Sequence, residues 1–306
     1  MTLSEPGSRR IELLATLGLL AMTAVWGSTF VLIKDVVARM PVADFLAVRF
    51  VVAAAVMLAL FARPVMRLGR QQILRGLILG VVYGAGQLLQ TWGLSRIAPS
   101  VSGFVTGMYV VFTPILATVL LRHRMPGVVW LAVLLATGGL ALLSLNGVSV
   151  DLGVWLTLVS ALMYGLHIVG LGQWSRSGEA FGMSAVQMVA IAIVCLLATA
   201  PHGPTLPPDR SAWFAVLYMA LIAGAGAMLM QTWAQSHLRA TRAAIVMTTE
   251  PVFAAGFAVA FGSDLLTWRM LVGGGLVLAA MYTVELMPRR GSDAGELPAE
   301  AIHHEV

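Results

Sequence analysis

The chain has 306 residues, of which 59% are apolar or aromatic and 11% are charged, against about 25% charged in an ordinary soluble domain. With 19 basic and 14 acidic residues it cannot cover a soluble surface, which excludes a soluble enzyme, a nucleic-acid binder and a disulfide-stapled secreted module. The net charge of +5 is not gathered on a polar segment; the cations sit at the ends of apolar runs, as in a polytopic membrane protein.

Apolar periods between charge and turn signals predict ten membrane helices, over residues 11–33, 44–62, 74–95, 99–121, 127–146, 151–173, 182–200, 211–234, 241–262 and 268–287. At about 20 residues per span these leave room for short connections and two tails, and for no large extramembrane domain. The first run, IELLATLGLLAMTAVWGSTFVLI, exceeds a signal-peptide core and lacks a clear cleavage site, so it reads as a membrane helix. Pro99 separates the third span from the fourth. Cys195 falls inside VAIAIVCLLATA in the seventh span and reads as a small buried hydrophobe. Residues 288–306 are rich in Gly, Pro and Glu and read as a disordered cytoplasmic tail, with His303 and His304 in it.

Orientation follows from the cations. With the N-terminus inside, 13 of the 19 lie on the cytoplasmic side, among them Arg63, Arg67, Arg70 and Arg75. Five lie outside (Lys34, Arg39, Arg96, Arg210 and Arg269), and Arg49 falls within the second span. This split predicts both termini in the cytoplasm.

The halves are related. Val25-Trp26-Gly27 matches Met163-Tyr164-Gly165 at an offset of 138, Arg49 falls on Gln187 at the same offset, and Gln90-Thr91-Trp92 recurs as Gln231-Thr232-Trp233 at 141. Thr113-Pro114 matches Glu250-Pro251 at 137, and Met125-Pro126 matches Leu266-Thr267 at 141. The unit is five helices, residues 11–146 and then 151–287. An odd unit repeated directly lies in the membrane with opposite polarity, so the expected fold is all-α transmembrane, ten helices as two inverted five-helix repeats.

Polar groups at bilayer depth are costly and mark candidate sites. Glu250, in VMTTEPVFAAGF, is expected near the centre of the ninth span, with Pro251 disturbing the local hydrogen bonding. It reads either as a proton-coupling or cation-recognising group, or as a structural acid bonded to Thr248, Thr249 or another helix. Arg49 either reaches the outer surface or faces a central cavity and takes a carboxylate; its repeat mate Gln187 is also polar. His167 in the sixth span is either a neutral ring donating to a backbone carbonyl or a second proton-coupling candidate, and Tyr164 shares its face. Trp26 and Thr29 share a face of the first helix. Tyr83, Gln87 and Gln90 recur at i, i+4 and i+7 on the third, Thr106 and Tyr109 flank Gly107 on the fourth, and Gln231 repeats the theme on the eighth. Trp92 is either an interface anchor or a ligand-stacking ring. Glutamines, tyrosines and tryptophans around a midplane cavity suit an amphipathic organic solute better than a bare ion. No cluster has metal-site spacing and there is no P-loop, so neither a metal, a cofactor nor ATP-driven pumping is expected. Gly80, Gly84, Gly86, Gly103, Gly107 and Gly273–Gly275 offer surfaces for close helix contact, with a homodimer as one use.

The motifs WGSTFVLIK with Pro41 and FLAVRF, TGMYVVFTPILA, and TTEPVFAAGFAVAFGSDLLTWRMLVGGGLVLAAMY resemble the EamA-type transporters of the drug/metabolite transporter superfamily, over residues 15–288. The resemblance implies a ten-helix inverted-repeat carrier of a bacterial inner membrane, with the path between helices 1–4 and 6–9 and helices 5 and 10 peripheral, often in contacts between protomers. Trp26, Arg49, Tyr83, Gln87, Tyr109, Tyr164, His167, Gln231 and Glu250 would line or approach that path. Many relatives carry Gly-Glu after the ninth helix where this chain has Gly262-Ser263-Asp264, which leaves a structural role for Asp264 less secure. The expected function is a secondary transporter, not an enzyme, exporting amino acids, related amphipathic metabolites or drug-like compounds by alternating access, driven by protons or by facilitated diffusion. An importer, a facilitative channel, or a membrane sensor or scaffold that moves nothing remain the alternatives.

Overall fold

The computed structural model describes residues 6–121, 127–146, 149–174, 179–201, 203–227, 230, 234 and 246–285. The expected tail at 288–306 and the candidate Gln231 lie outside them. The described chain is an all-α, multi-pass helical protein. Helices α1 (Pro6–Val37), α2 (Val42–Met66), α3 (Arg70–Leu94), α4 (Pro99–Gly107), α5 (Tyr109–Leu121) and α6 (Gly127–Ser144) form the first half. Helices α7 (Leu152–Trp174), α8 (Ala180–Ala198), α9 (Arg210–Ala220), α10 (Glu250–Ala260) and α11 (Trp268–Glu285) belong to the second. Among the described residues α1, α2, α3, the α4–α5 pair, α7 and α8 are long and apolar enough to cross a membrane.

Local chemistry sets the ends. Asp151 and Asp209 cap α7 and α9, accepting from the Gly153 amide at 2.6 Å and the Ala212 amide at 2.8 Å. Asp264 does the same for α4 from a distant loop, accepting from the Ser100 amide at 2.9 Å, so its shorter side chain does have a structural role. Lys34 Nζ donates to the carbonyls of Leu94, Ser95 and Ile97 at 2.8–3.0 Å, which satisfies the exposed end of α3 and complements its dipole.

Three spans depart from the expected continuous helices. The fourth breaks at Met108: the Met108 amide bonds to Val105 O and the Val111 amide to Met108 O, both tight three-residue steps, six residues before Pro114, which has no amide to donate. Thr106 and Tyr109 therefore stand on either side of a break, in α4 and α5. The eighth passes from α9 into a π-helical segment, Leu221–Gly226. In the ninth, Thr248 and Thr249 form a turn and Glu250 is the first residue of α10, not the centre of an unbroken helix. Pro251 suits that first turn, where its missing amide costs nothing. Helix α2 bends at Phe61 (φ −119°, ψ 23°), three residues before Pro64. Between the halves, Leu145–Asn146 (β1) and Ser149–Val150 (β2) pair antiparallel, a ladder too short for the apolar pattern to reveal.

Helix contacts follow the repeat. The second span packs on the seventh (α2 on α8), the fourth on the ninth (α4 on α10) and the fifth on the tenth (α6 on α11), each on its own mate. The first span meets the ninth (α1 on α10) as the sixth meets the fourth (α7 on α4 and α5), and α3 lies on α8 as α2 lies on α9. Two pseudo-symmetric halves account for this pattern. In lipid, apolar burial does not drive helices together, so close approach does. A Cβ at Gly80 would fall 2.6 Å from the Gln187 carbonyl oxygen, and one at Gly103 2.7 Å from Ala254 Cβ. Cys195 is fully buried in the cluster around α2 and α8.

Candidate functional site

The helices enclose a cavity of about 240 Å³. Of the sequence candidates within the described residues, Trp26, Arg49, Tyr83, Gln87, Gln90, Thr106, Tyr109, Tyr164, His167, Gln187 and Glu250 line it. Thr29 lines it too, whereas Trp92, 40% exposed, stands apart from it. Among the described residues α6 and α11 contribute nothing to the lining.

The rings form one group. Tyr83 meets Tyr164 at 5.1 Å between ring centroids and His167 at 5.0 Å, the latter edge-on. A hydrogen-bonded chain ties α7 to α3 and α4: Tyr164 Oη donates to Gln90 Oε1 at 2.7 Å, and Gln90 Nε2 donates to Thr106 Oγ1 at 3.1 Å. His167 Nε2 lies 2.6 Å from Gln187 Oε1. The Gln187 amide nitrogen points to Met183 O at 3.4 Å, so the amide oxygen faces the ring and His167 Nε2 carries a hydrogen. The histidine's partner is thus a side chain, and that side chain is the repeat mate of Arg49, not the backbone carbonyl expected.

Two charged groups are handled differently. Arg49 is 7% exposed, its Nε has no hydrogen-bond partner, and its guanidinium stands 5.0 Å over the Phe50 ring. Among the described residues it forms no ion pair. It faces the cavity rather than the outer surface. Glu250 forms no hydrogen bond or ion pair with any described residue; Thr249, one of its expected partners, bonds instead to Val246 O at 2.6 Å and to Thr23 Oγ1 at 3.1 Å. An unpartnered buried guanidinium is costly, and its planar fork is shaped for a carboxylate or phosphate.

No sequence feature marks the π-helical segment, whose Ala223 and Gly224 line the cavity beside α1. Trp26 Nε1 donates to Ala223 O at 2.8 Å, a carbonyl that an ordinary α-helical turn would engage. Ser184, Phe50 and Met188 also line the space and gave no signal, being unexceptional residues within apolar runs.

At the two ends of the bundle the halves are tied by polar contacts. At the α1–α2 end, Arg39 bonds to Asp209 at 2.6 Å and to Asp35 at 2.5 Å, and Asp44 accepts from the Thr205 amide at 3.2 Å and from its hydroxyl. The Ala212 amide and then Arg39 hold the Asp209 carboxyl below the ordinary aspartate range, and Asp209 holds Arg39 above its own. At the α2–α3 end, Gln72 Nε2 donates to Glu179, Arg75 reaches Gln72 at 3.3 Å, and Arg75 stands 5.9 Å over Trp174.

A model of the EamA-like transporter family matches residues 13–145 and 151–286. An uncharacterized transporter of Archaeoglobus fulgidus is 30% identical over 276 residues, 90% of this chain and 87% of that protein. A solved crystal structure 19% identical in sequence superposes with a TM-score of 0.63, covering 89% of this chain and 96% of that one; this is a likeness of fold.

Proposed function

The chain belongs to the EamA-like transporter family, within the drug/metabolite transporter superfamily, and from that premise we propose that it is a secondary transporter exporting small amphipathic metabolites, such as amino acids, or drug-like compounds. The observation that carries this reading is the cavity, in which Arg49 and Glu250, neither of them in an ion pair with a described residue, and a cluster of aromatic rings face one space. Arg49 receives the solute's carboxylate, the rings its apolar part, and Glu250 its amine or a proton, with His167 the second proton-coupling candidate.

The mechanism is alternating access between two inverted five-helix repeats, residues 11–146 and 151–287, in a bacterial inner membrane with both termini cytoplasmic. The excess of cations on one set of connections supports that orientation. The end contacts support the alternation: Gln72 and Glu179 stand at the repeat positions of Asp209 and Arg39, so each end has its own cross-half latch. In that scheme the Arg39 latch is the outer one and the Gln72 latch the inner one, and they open in turn. The protein reconstituted in liposomes is expected to move members of a radiolabelled panel of amino acids, nucleosides, polyamines and cationic dyes; no flux above empty vesicles for any of them would refute the reading.

A further inference from the structure

Glu250 is the first residue of α10, and the turn that delivers it is fastened to α1. The hydroxyls of Thr23 on α1 and of Thr249, the residue before Glu250, stand 3.1 Å apart. Thr249 does not cap α10 with its side chain. Its hydroxyl donates instead to Val246 O at 2.6 Å, and its amide reaches the same carbonyl at 3.1 Å. With the one Thr249 hydroxyl proton on Val246 O, the bridging proton comes from Thr23. Thr23 is fully buried. One turn further along, α1 lies so close to α10 that a Cβ at Gly27 would fall 2.6 Å from Phe253 Cβ and 2.8 Å from the Ala254 amide nitrogen.

The equivalent contact in the other direction, of α7 on α5, is made without hydroxyls. A Cβ at Gly165, the repeat mate of Gly27, would fall 3.0 Å from Leu116 Cδ1 and 3.3 Å from Phe112 Cβ, and Leu116 is the mate of Phe253 at an offset of 137. At the same offsets Thr23 corresponds to Ala161 and Thr249 to Phe112, an alanine inside an apolar cluster and a phenylalanine packed against it. Seating a helix of one half on the other therefore does not require a polar pair. The pair occurs on the side that carries the acid; the mate of Glu250 is Thr113, whose hydroxyl stays within its own helix, donating to Tyr109 O at 2.8 Å.

We propose that Thr23 is a positioning residue for Glu250: by holding Thr249 it fixes the turn from which α10 starts, and with it the place of the Glu250 carboxyl in the cavity. The inference rests on the reading of Glu250 as the group that takes the solute's amine or a proton, and it adds a residue of the first half to that function.

Dicyclohexylcarbodiimide modifies protonated carboxyls in apolar surroundings, so the pH profile of its attachment to Glu250 reads the setting of that carboxyl without a known solute. Peptide mass spectrometry on the whole protein in detergent follows it. The titratable groups that line the cavity with Glu250 are Arg49, Tyr83, Tyr109, Tyr164 and His167; α1 and α4, which pack on α10, bring none to it, and every Thr23 variant leaves them in place. Thr23→Val removes the hydroxyl and is expected to move the midpoint of the profile by about half a pH unit or more, roughly threefold in the ratio of protonated to ionised carboxyl. Thr23→Ser is expected to keep the wild-type midpoint. Thr23→Ala, which installs the residue that the other half carries at this position, is expected to behave as Thr23→Val does and replaces it if that variant does not fold. An unmoved midpoint in the variants without the hydroxyl, or an equal shift in Thr23→Ser, overturns the inference and leaves the role of Glu250 standing. Glu250→Gln with flux and its pH-gradient dependence unchanged overturns instead the reading of Glu250 on which the inference rests.

Discussion

Arg39 at the end of α1 bonds to Asp209 at the start of α9 at 2.6 Å, and this contact between the halves has a counterpart at the opposite end of α2. There Gln72 donates to Glu179, and these two stand 137 residues before Asp209 and 140 after Arg39, within the offsets that relate the halves throughout. The two latches differ in kind. One joins full opposite charges at the surface, and the other joins an amide to a carboxylate with Arg75 behind it. Exposed ion pairs are screened by solvent and contribute little, and the second latch is a single amide-to-carboxylate hydrogen bond, so neither is strong enough to lock the bundle.

Breaking the latches should therefore shift accessibility in opposite directions. With Ser184→Cys as a reporter in the cavity and buried Cys195 left in place, Arg39→Ala is expected to raise labelling by an impermeant maleimide from the outer side. Glu179→Ala is expected to raise it from the cytoplasmic side. The rates of labelling in oriented vesicles check this, and a shift of both variants toward one side would contradict it. Added salt should mimic Arg39→Ala more than Glu179→Ala, because exposed full charges are screened.

Asp209 also caps α9, and its pH dependence has a definite sign. A carboxyl held below its ordinary range stabilises the fold above that range, and the contribution is lost as pH falls through the lowered value. Amide protection at the first turn of α9, taken as exchange relative to its intrinsic rate at each pH, should be flat from neutral pH down to the ordinary aspartate range and fall below it. In Asp209→Ala protection should be lower throughout and lack that acid step.

Close packing predicts where a single carbon is not tolerated. Gly80→Ala places a Cβ 2.6 Å from both Ala190 Cβ and the Gln187 carbonyl, and overpacking of this kind costs about 1–3 kcal/mol. Gly275 has nothing within 4 Å of such an atom, so Gly275→Ala is expected to leave stability unchanged or raise it by up to about 1 kcal/mol. Thermal melts of the two variants in detergent make the comparison directly.

Coupling has its own test. If Glu250 carries the proton, Glu250→Gln abolishes any dependence of flux on a pH gradient, whereas His167→Gln, which replaces a ring already bonded to Gln187, retains it. Retained dependence in Glu250→Gln removes that residue from the role.

Much of this arrangement was legible in the sequence, for a physical reason. In a membrane segment almost any polar side chain must face a cavity or a partner, so picking polar residues out of apolar runs picked out the lining: Arg49, Tyr83, Gln87, Tyr164 and Glu250 all arrive there. What stayed hidden depends on backbone geometry or on distant pairing. The break at Met108 and the π-helical turn at Leu221–Gly226 leave the apolar pattern intact, since lipid and core accept the same residues on either side. The restart at Glu250 was half visible in Pro251, which suits the first turn of a helix as well as it disturbs the middle of one. Partners such as Gln187 for His167, Asp264 for Ser100 and Asp209 for Arg39 lie 20 to 170 residues apart, a separation that no local spacing reveals.

Counterflow distinguishes a cavity that opens to the two sides of the membrane in turn from one that is open to both at once. Proteoliposomes loaded with whichever unlabelled solute of the panel moves fastest are diluted into the same labelled solute at low concentration. Alternating access predicts a transient accumulation of label above the outside concentration, followed by decay. A monotonic rise to equilibrium, as through an open channel, or no uptake at all would contradict it.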